Sequence, residues 1–469
     1  MPVSKTASGP SEADIRRIVP WLLYVIFFSV LNETVFNVST PSISEQFHLL
    51  PSQVSWVVTI FILFFGIGSI VFGKLSDLFS PKHLIVIGIA VYAAGSVLGF
   101  IFHDKYVMVI LFRAVQGLGA SAIPAINNTI ITRYFTAAGR PKMFGLVTSA
   151  FSCGVAVGPV LGGNITSRVH WAYLFLIPVF TLAAIPYFLK FLPGEERKKG
   201  KFDLLGAVLA SLAVTGLMLF LTQLNPLYLL GSLAAGAWFS IHIRAHPYPF
   251  LHTALFKDPL YRIGVTTGFL MFSAIMTMMF LLPLLLSQLY ALDAGTIGAV
   301  MFPGAVSAAF GGKIAGDIMV KKGAGYVTFM GLCLIALGFS LIWISVDQWV
   351  WWIAAAFAVM NLGYAFSQTS ITESVSSTLR GNQIGIGMGL FSLGMFIAQA
   401  LGTAVAAKLL DSSMIAFPLH PFVMGTQSLS YVNLTLLMIL VILYSVFMYF
   451  LFSRRTSRTS IKGAESHGD

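Results

Sequence analysis

Charge is what this sequence has least of. Asp, Glu, Lys and Arg make up 10% of its 469 residues, where a soluble globular domain carries about 25%. That shortage excludes an ordinary water-soluble enzyme or binding domain. Acids are scarcer than bases, 17 against 28, for a formal net charge of +11. Cysteine is nearly missing. Cys153 and Cys333 both fall inside apolar runs, which argues against a disulfide or metal pair and predicts burial as small hydrophobes. There is no HExxH, no G-x-S-x-G and no P-loop, so the chain is expected not to be an enzyme and to hold no metal and no cofactor.

What fills the chain instead is apolar residues, 57% of the total, in runs of the length that spans a bilayer, roughly 18 to 25 residues. Alternating segments of about ten residues, the mark of a membrane β-barrel, are not found. The fold class is therefore an all-α membrane protein. Fourteen spans are predicted: 19–39, 53–74, 83–102, 106–131, 143–163, 171–191, 204–222, 227–243, 262–289, 295–319, 324–345, 349–374, 384–409 and 431–452. An even number places both termini on one side. With a cytoplasmic N-terminus, all but Lys105, Arg113, Arg168 and Lys408 of the 28 basic residues fall on cytoplasmic segments, as the positive-inside rule requires. The basic excess is thus a topology signal and predicts no nucleic-acid partner. The N-terminal segment is polar and the first apolar run is of spanning length, so no cleaved signal is expected.

The charged connection "KFLPGEERKKGKFD" at 190–203 and the polar linker that follows the eighth span divide the map. A tail, 1–18, precedes a six-helix bundle, 19–191. Linkers and a two-helix insert occupy 192–261, a second six-helix bundle 262–452, and a further tail 453–469. A weak repeat relates the bundles: "FGKLSD" ends the second span and "FGGKIAGD" the tenth, each at a cytoplasmic helix end with basic residues following. Parallel repeats of this kind are common in transporters. Gly73, Lys74 and Asp77 in the first copy, and Asp317 in the second, are candidates for a cytoplasmic gate. There an acid can pair with a base of a neighbouring span, and a glycine allows close approach or a helix stop.

Few ionisable groups lie at bilayer depth, where their cost makes them functional candidates by default. They are Glu33, Arg113 and Glu373. Glu33 lies about 18 Å along its helix from Trp21, and Arg113 roughly 10 Å inside Tyr106 from the other face, at 1.5 Å per residue. In a core of about 30 Å the two depths nearly coincide. Burial and a neighbouring guanidinium would pull the protonation of Glu33 in opposite directions, the balance a proton-exchanging group needs. Glu373, in "QTSITESVSS", lies nearer the cytoplasmic side with Gln368, Thr369 and Thr372 at helical spacings, the pattern of a wet wall. Asn32, Asn37, Gln116, Asn127, Asn361, Gln368 and Gln399 give polar faces to otherwise apolar helices and are the candidate cavity residues.

Four stretches carry a specific resemblance. "GKLSD" with its basic residues resembles the loop signature of the major facilitator superfamily. "LNETVFNVSTPSI" (31–43), "LFRAVQGLGAS" (111–121) and "GVAVGPVLGG" (154–163) resemble the first-, fourth- and fifth-span motifs of its fourteen-span drug:proton antiporter branch. Within that branch "SVLNE", "GKLSD" and "HWAYLFLIP" are most similar to the tetracycline efflux proteins of Gram-positive bacteria. The resemblance implies two six-helix bundles with two extra central spans, in a bacterial cytoplasmic membrane. It also implies proton-coupled efflux of an amphipathic drug-like compound by a monomer, the proton gradient supplying the energy. It assigns Gly154, Gly158, Pro159, Gly162 and Gly163 to the antiporter motif. The chain departs from the tetracycline pattern at Val155 and Gln399, where that pattern has acids, and carries Glu373 where it has none. A proton-coupled transporter of a metabolite or nutrient with the same fold is the alternative, and a membrane-embedded enzyme or receptor a more distant one.

Overall fold

A membrane interior offers no water to backbone N–H and C=O groups, so a spanning chain must satisfy them within itself. The computed structural model does this with helices alone. It describes residues 12–135, 140–194, 203–245, 256–346, 348–379, 384–412, 415–420 and 426–465, among which no strand occurs. In order these are α1 (Glu12–Phe47), α2 (Pro51–Leu78), α3 (Pro81–Ile101), α4 (Tyr106–Tyr134), α5 (Arg140–Arg168), a 3-10 stretch (Trp171–Ala184) continued by α6 (Ile185–Phe191), α7 (Leu204–Gln223), α8 (Pro226–Ala245), α9 (Pro259–Tyr290), α10 (Ala294–Ser345), α11 (Val350–Ser377), α12 (Ile384–Asp411) and α13 (Thr426–Glu465). Eleven helical stretches among the described residues are long and apolar enough to cross a membrane.

Local chemistry starts these helices where they start. Pro51, Pro81 and Pro259 sit in the first turns of α2, α3 and α9, where the missing N–H costs nothing. Asp203, Asp258 and Asp293 cap α7, α9 and α10, accepting from the backbone N–H of Gly206 (2.8 Å), Leu260 (2.7 Å) and Gly295 (2.9 Å).

At 52 residues, α10 would run about 78 Å if straight, far more than a bilayer. It reverses instead. Gly323 breaks it at φ 80° and ψ 161°, a backbone region open mainly to glycine. Before the break, Gly304, Ser307 and Gly311 meet Phe357, Ala358 and Ala365 of α11, so the two run parallel. After it, Thr328, Gly331 and Gly338 meet Ser370, Ser367 and Met360, so the order is inverted. This is the pair of spans predicted at 295–319 and 324–345.

Helices outrun the apolar segments, because a helix need not stop where the bilayer does. The first reaches Phe47 rather than residue 39, and α13 continues to Glu465. Two expectations are corrected. Gly73 does not stop α2, which continues to Leu78, and a Cβ placed on Gly73 would meet nothing within 4 Å, so no close approach needs it in this conformation. Cys153 and Cys333 are both exposed rather than buried. An outward-facing position on a membrane helix accepts a small apolar side chain as readily as a core does.

The two bundles meet along a seam that is tight toward the ends of α1 and α5 at Phe47 and Arg168, here called the distal face. Gly163 of α5 lies against the Ala294 carbonyl, and Gly298 of α10 against that of Pro159. The Ser52 N–H donates to Asp411 Oδ1 of α12 (3.1 Å). Contact between α2 and α12 continues inward as far as Gly66 against Phe396. Toward the opposite, terminal face, Gly73, Gly316 and Gly394 have no neighbour a Cβ would touch. The seam is closed at its distal end.

Candidate functional site

A charged side chain can persist at membrane depth only where its surroundings replace water. Arg113, two turns into α4, is fully buried, and three neighbouring helices supply that replacement. Its Nε donates to the Val57 carbonyl of α2 (2.9 Å) and its Nη1 to Gln116 Oε1 (3.0 Å). Gln116 Nε2 in turn donates to Ser96 Oγ of α3 (2.8 Å), which donates to the Tyr92 carbonyl (2.8 Å). Its guanidinium carbon lies over two rings, 4.1 Å from the centroid of Phe36 on α1 and 4.3 Å from that of Phe61 on α2. Nη2 has no hydrogen-bond partner within the protein. Desolvated contacts of a cation over a phenyl face are worth about 2 kcal/mol.

Glu33 lies one helical turn before Phe36 on α1. It sits deep among protein atoms, yet part of its side chain remains accessible, so it lines an opening rather than the packed core. No ion pair within 4.0 Å joins Glu33 to Arg113. The two are nonetheless near enough for their charges to act on one another, and so are Glu33 and Tyr92. Across the seam Tyr364 of α11 is also within electrostatic reach of Glu33, and it packs edge-on against Phe272 of α9 at 5.7 Å. Asn32 is fully buried with its amide facing the Tyr92 hydroxyl just outside ordinary hydrogen-bond geometry, and neither group has another partner among the described residues. Buried polar atoms of this kind are ordinarily satisfied by water or a ligand.

The structure therefore gathers Glu33, Asn32, Arg113 and Gln116 around one point of the first bundle. The other expected residues lie apart from it or in different surroundings. Asn37 and Asn127 are buried with unbonded amide atoms. Asn361 donates to the Phe357 carbonyl (2.9 Å) while its Oδ1 has no partner. Gln399 is buried on α12, and Gln368 is half-buried on α11. Glu373 is exposed, four residues before the end of α11, and does not share the enclosed environment of Glu33. Asp317 is exposed on α10. The side chains of Lys74 and Asp77 lie outside the described residues, while nearby Ser76 takes a hydrogen bond from Arg133 Nη2 to its carbonyl (2.5 Å).

Along α5 the glycines of the antiporter motif have a concrete packing role. A Cβ on Gly154 would press on the Phe27 carbonyl, on Gly158 on the Thr34 hydroxyl, and on Gly162 on the Val35 carbonyl. With Pro159 and Gly163 against α10, these residues pin α5 between α1 and the second bundle. Sequence reasoning missed Phe36, Phe61, Ser96, Tyr92 and Tyr364. Phe36 had a signal, its i, i+3 spacing from Glu33. The others had none, because nothing distinguishes one phenylalanine among 40.

Comparison with known proteins agrees with this geometry. A sequence model of the Major Facilitator Superfamily matches residues 22–403. Among curated relatives, the riboflavin transporter RibZ of Clostridioides difficile is 26% identical over 84% of this chain and 89% of its own. The multidrug resistance protein Stp of Mycobacterium tuberculosis is 24% identical over 84% of this chain and 75% of its own. Multidrug resistance protein 3 of Bacillus subtilis is 23% identical over 86% and 82%. Among solved structures, a bacterial homologue of the human lysosomal transporter Spinster, in an inward-facing and unoccupied conformation, superimposes with a TM-score of 0.63. It is 14% identical and covers 95% of this chain and 98% of that one.

Proposed function

Since the chain belongs to the Major Facilitator Superfamily and is a multi-pass membrane transporter, we propose that it is a proton-coupled exporter of amphipathic, drug-like compounds. Tetracycline and other antibiotics are the first candidates. In this reading it crosses the bacterial cytoplasmic membrane fourteen times as a monomer, with both termini in the cytoplasm. The terminal face is then the cytoplasmic one.

One observation carries the reading: an accessible carboxylate, Glu33, held deep in the membrane region beside a buried cation with which it makes no ion pair. Such a carboxylate can take a proton from one side and lose it to the other as the seam rocks, while the cation remains in place. Substrate enters from the terminal face and meets Glu33, Asn32 and the Tyr364–Phe272 pair. Protonation of Glu33 removes the negative charge that holds a cationic or polar substrate. No cofactor has a part in this cycle.

A second reading, transport of a metabolite, is favoured by the riboflavin transporter among the relatives. One experiment addresses both. The purified protein in proteoliposomes is given an imposed pH gradient and a panel of tetracycline, cationic dyes and flavins. Gradient-dependent movement of the drugs and not the flavins supports export of drug-like compounds. Movement of flavins alone replaces it with the second reading, and indifference of all transport to the gradient removes the proton-coupled step.

A further inference from the structure

We propose that Phe36 and Phe61 are positioning residues of the coupling centre: by clamping the Arg113 guanidinium with their rings, they keep it charged without a carboxylate partner and leave Glu33 free to exchange its proton. The inference rests on the proton-carrier reading above and gives that site a part that its charged residues do not account for.

A buried arginine normally finds a carboxylate, because an unpaired charge in a dry interior is costly. Among the described residues Arg113 has none within 4.0 Å. Two neutral hydrogen bonds, to the Val57 carbonyl and to Gln116, satisfy part of it. Both rings lie against it, with centroids 4.1 and 4.3 Å from its central carbon. They come from different helices, α1 and α2, and neither is free to turn away. Phe36 packs edge-on against Phe175 (5.1 Å), and Phe61 stacks on Phe65 (5.8 Å). Both clamp residues are fully buried. If Arg113 were instead bonded to Glu33, protonating Glu33 would mean breaking a buried ion pair. With the rings in place, the carboxylate changes charge beside a cation that does not move.

The clamp has a consequence for proton affinity. Weakening the rings should make the guanidinium lean on Glu33, which favours the ionised carboxylate and releases its proton at lower pH. Replacing the ring hydrogens of Phe61 by fluorine withdraws electron density from the ring face while nearly keeping its shape, so the packing that Phe61→Leu would disturb is kept. Two measurements are made on the full-length protein in detergent. The first is a double-mutant cycle in melting temperature between ring fluorination at Phe61 and Arg113→Met. The clamp predicts that fluorination lowers the melting temperature progressively with fluorine number, and only when Arg113 is present. The second is proton release in weakly buffered solution, the Glu33 contribution being the part lost in Glu33→Gln. Its midpoint should fall by about one pH unit, a tenfold change in proton affinity, on full fluorination and in Phe36→Leu, and stay in place in Phe61→Tyr. No coupling in the melting cycle, or a wild-type release midpoint in the fluorinated protein, overturns the clamp. If Glu33→Gln leaves the wild-type release curve unchanged, the carrier reading fails instead, and the melting cycle alone decides the clamp.

Discussion

The two bundles bury very different chemistry at similar depth. In the first, a full cation, an accessible carboxylate, two amides and a chain of hydroxyls meet within reach of one another. In the second, the fully buried polar residues among those described are neutral, and the carboxylate oxygen withdrawn from solvent, Asp411 Oδ2, lies at the distal seam. Thr328 Oγ1 donates to Ser370 Oγ (2.8 Å), Ser307 Oγ to the Ala358 carbonyl (2.7 Å) and Asn361 to the Phe357 carbonyl (2.9 Å). Its one deep-span acid in the sequence, Glu373, is exposed near a helix end. A repeated fold has thus put charge handling in one half and left the other an adaptable apolar wall, with Tyr364 reaching across. A charge costs the same in either half, so only the half that works with it has reason to hold it.

The comparison breaks first at Glu33. Glu33→Gln is expected to reduce transport driven by a pH gradient to background, while downhill exchange of substrate persists. Stability should fall by about 1 kcal/mol, well under the 3–5 kcal/mol of breaking a buried ion pair, because Arg113 keeps its rings and its two hydrogen bonds. A large loss of melting temperature together with retained coupling would mean that Glu33 is structural and that the halves do not differ in role.

The seam between the halves supplies the next largest effect. Gly163→Leu would drive a side chain into the Ala294 carbonyl, and overpacking of this kind costs about 1–3 kcal/mol. That cost falls only on the shape closed at the distal face, so the population should move about tenfold or more toward the distally open one, at 1.4 kcal/mol per factor of ten. Spin labels at Leu50 and Phe417, both exposed on distal loops of opposite halves, should separate. Unchanged distances would show that this contact does not hold the closed face.

Glu373 sharpens the comparison from the other side. Being exposed, it can be changed to Gln with a stability effect within about 0.5 kcal/mol. If it serves substrate, transport of cationic compounds should fall a few-fold while neutral ones are unaffected, and Glu373→Asp should restore part of the loss. Equal substrate range and equal pH profile for mutant and wild type would leave the second half without a charged role.

How much of this was readable beforehand depended on what each feature is made of. The helices and the doubled span at α10 were legible because bilayer length and backbone satisfaction allow little else. The shared depth of Glu33 and Arg113 followed from counting residues along two helices. The clamp was not legible, since Phe36 and Phe61 belong to helices whose relative rotation no single-helix pattern fixes. Nor was the exposure of Cys153 and Cys333. Next to lipid, apolar character does not separate inside from outside. The sixth run, 171–191, reads as one α-helix in sequence, yet it is 3-10 through Ala184 with Pro178 inside it. The proline removes one N–H from the α-helical ladder there.

The smallest expected effect lies at the distal end of the first bundle, outside the membrane-spanning segments. His170 Nδ1 accepts from the Ala172 N–H (3.2 Å) and so begins the 3-10 stretch, whose Trp171 donates to Gln46 Oε1 (2.6 Å). His103 faces it with ring centroids 5.4 Å apart, and its own Nε2 lies 3.3 Å from Asp104 Oδ1. Burial first, and then the charge of His103, hold the His170 imidazole below its ordinary value of 6.5, with Asp104 opposing. The folded chain therefore binds fewer protons here than the unfolded one. Its stability is whole above 6.5 and declines as pH falls through the lowered value. His170→Asn keeps an oxygen for the Ala172 N–H and removes the titration. Wild type should lose more melting temperature than His170→Asn on acidification from 7 to below 6.5, with the two equal above it. Parallel curves throughout would mean that the distal closure of the first bundle is as indifferent to pH as the apolar wall opposite.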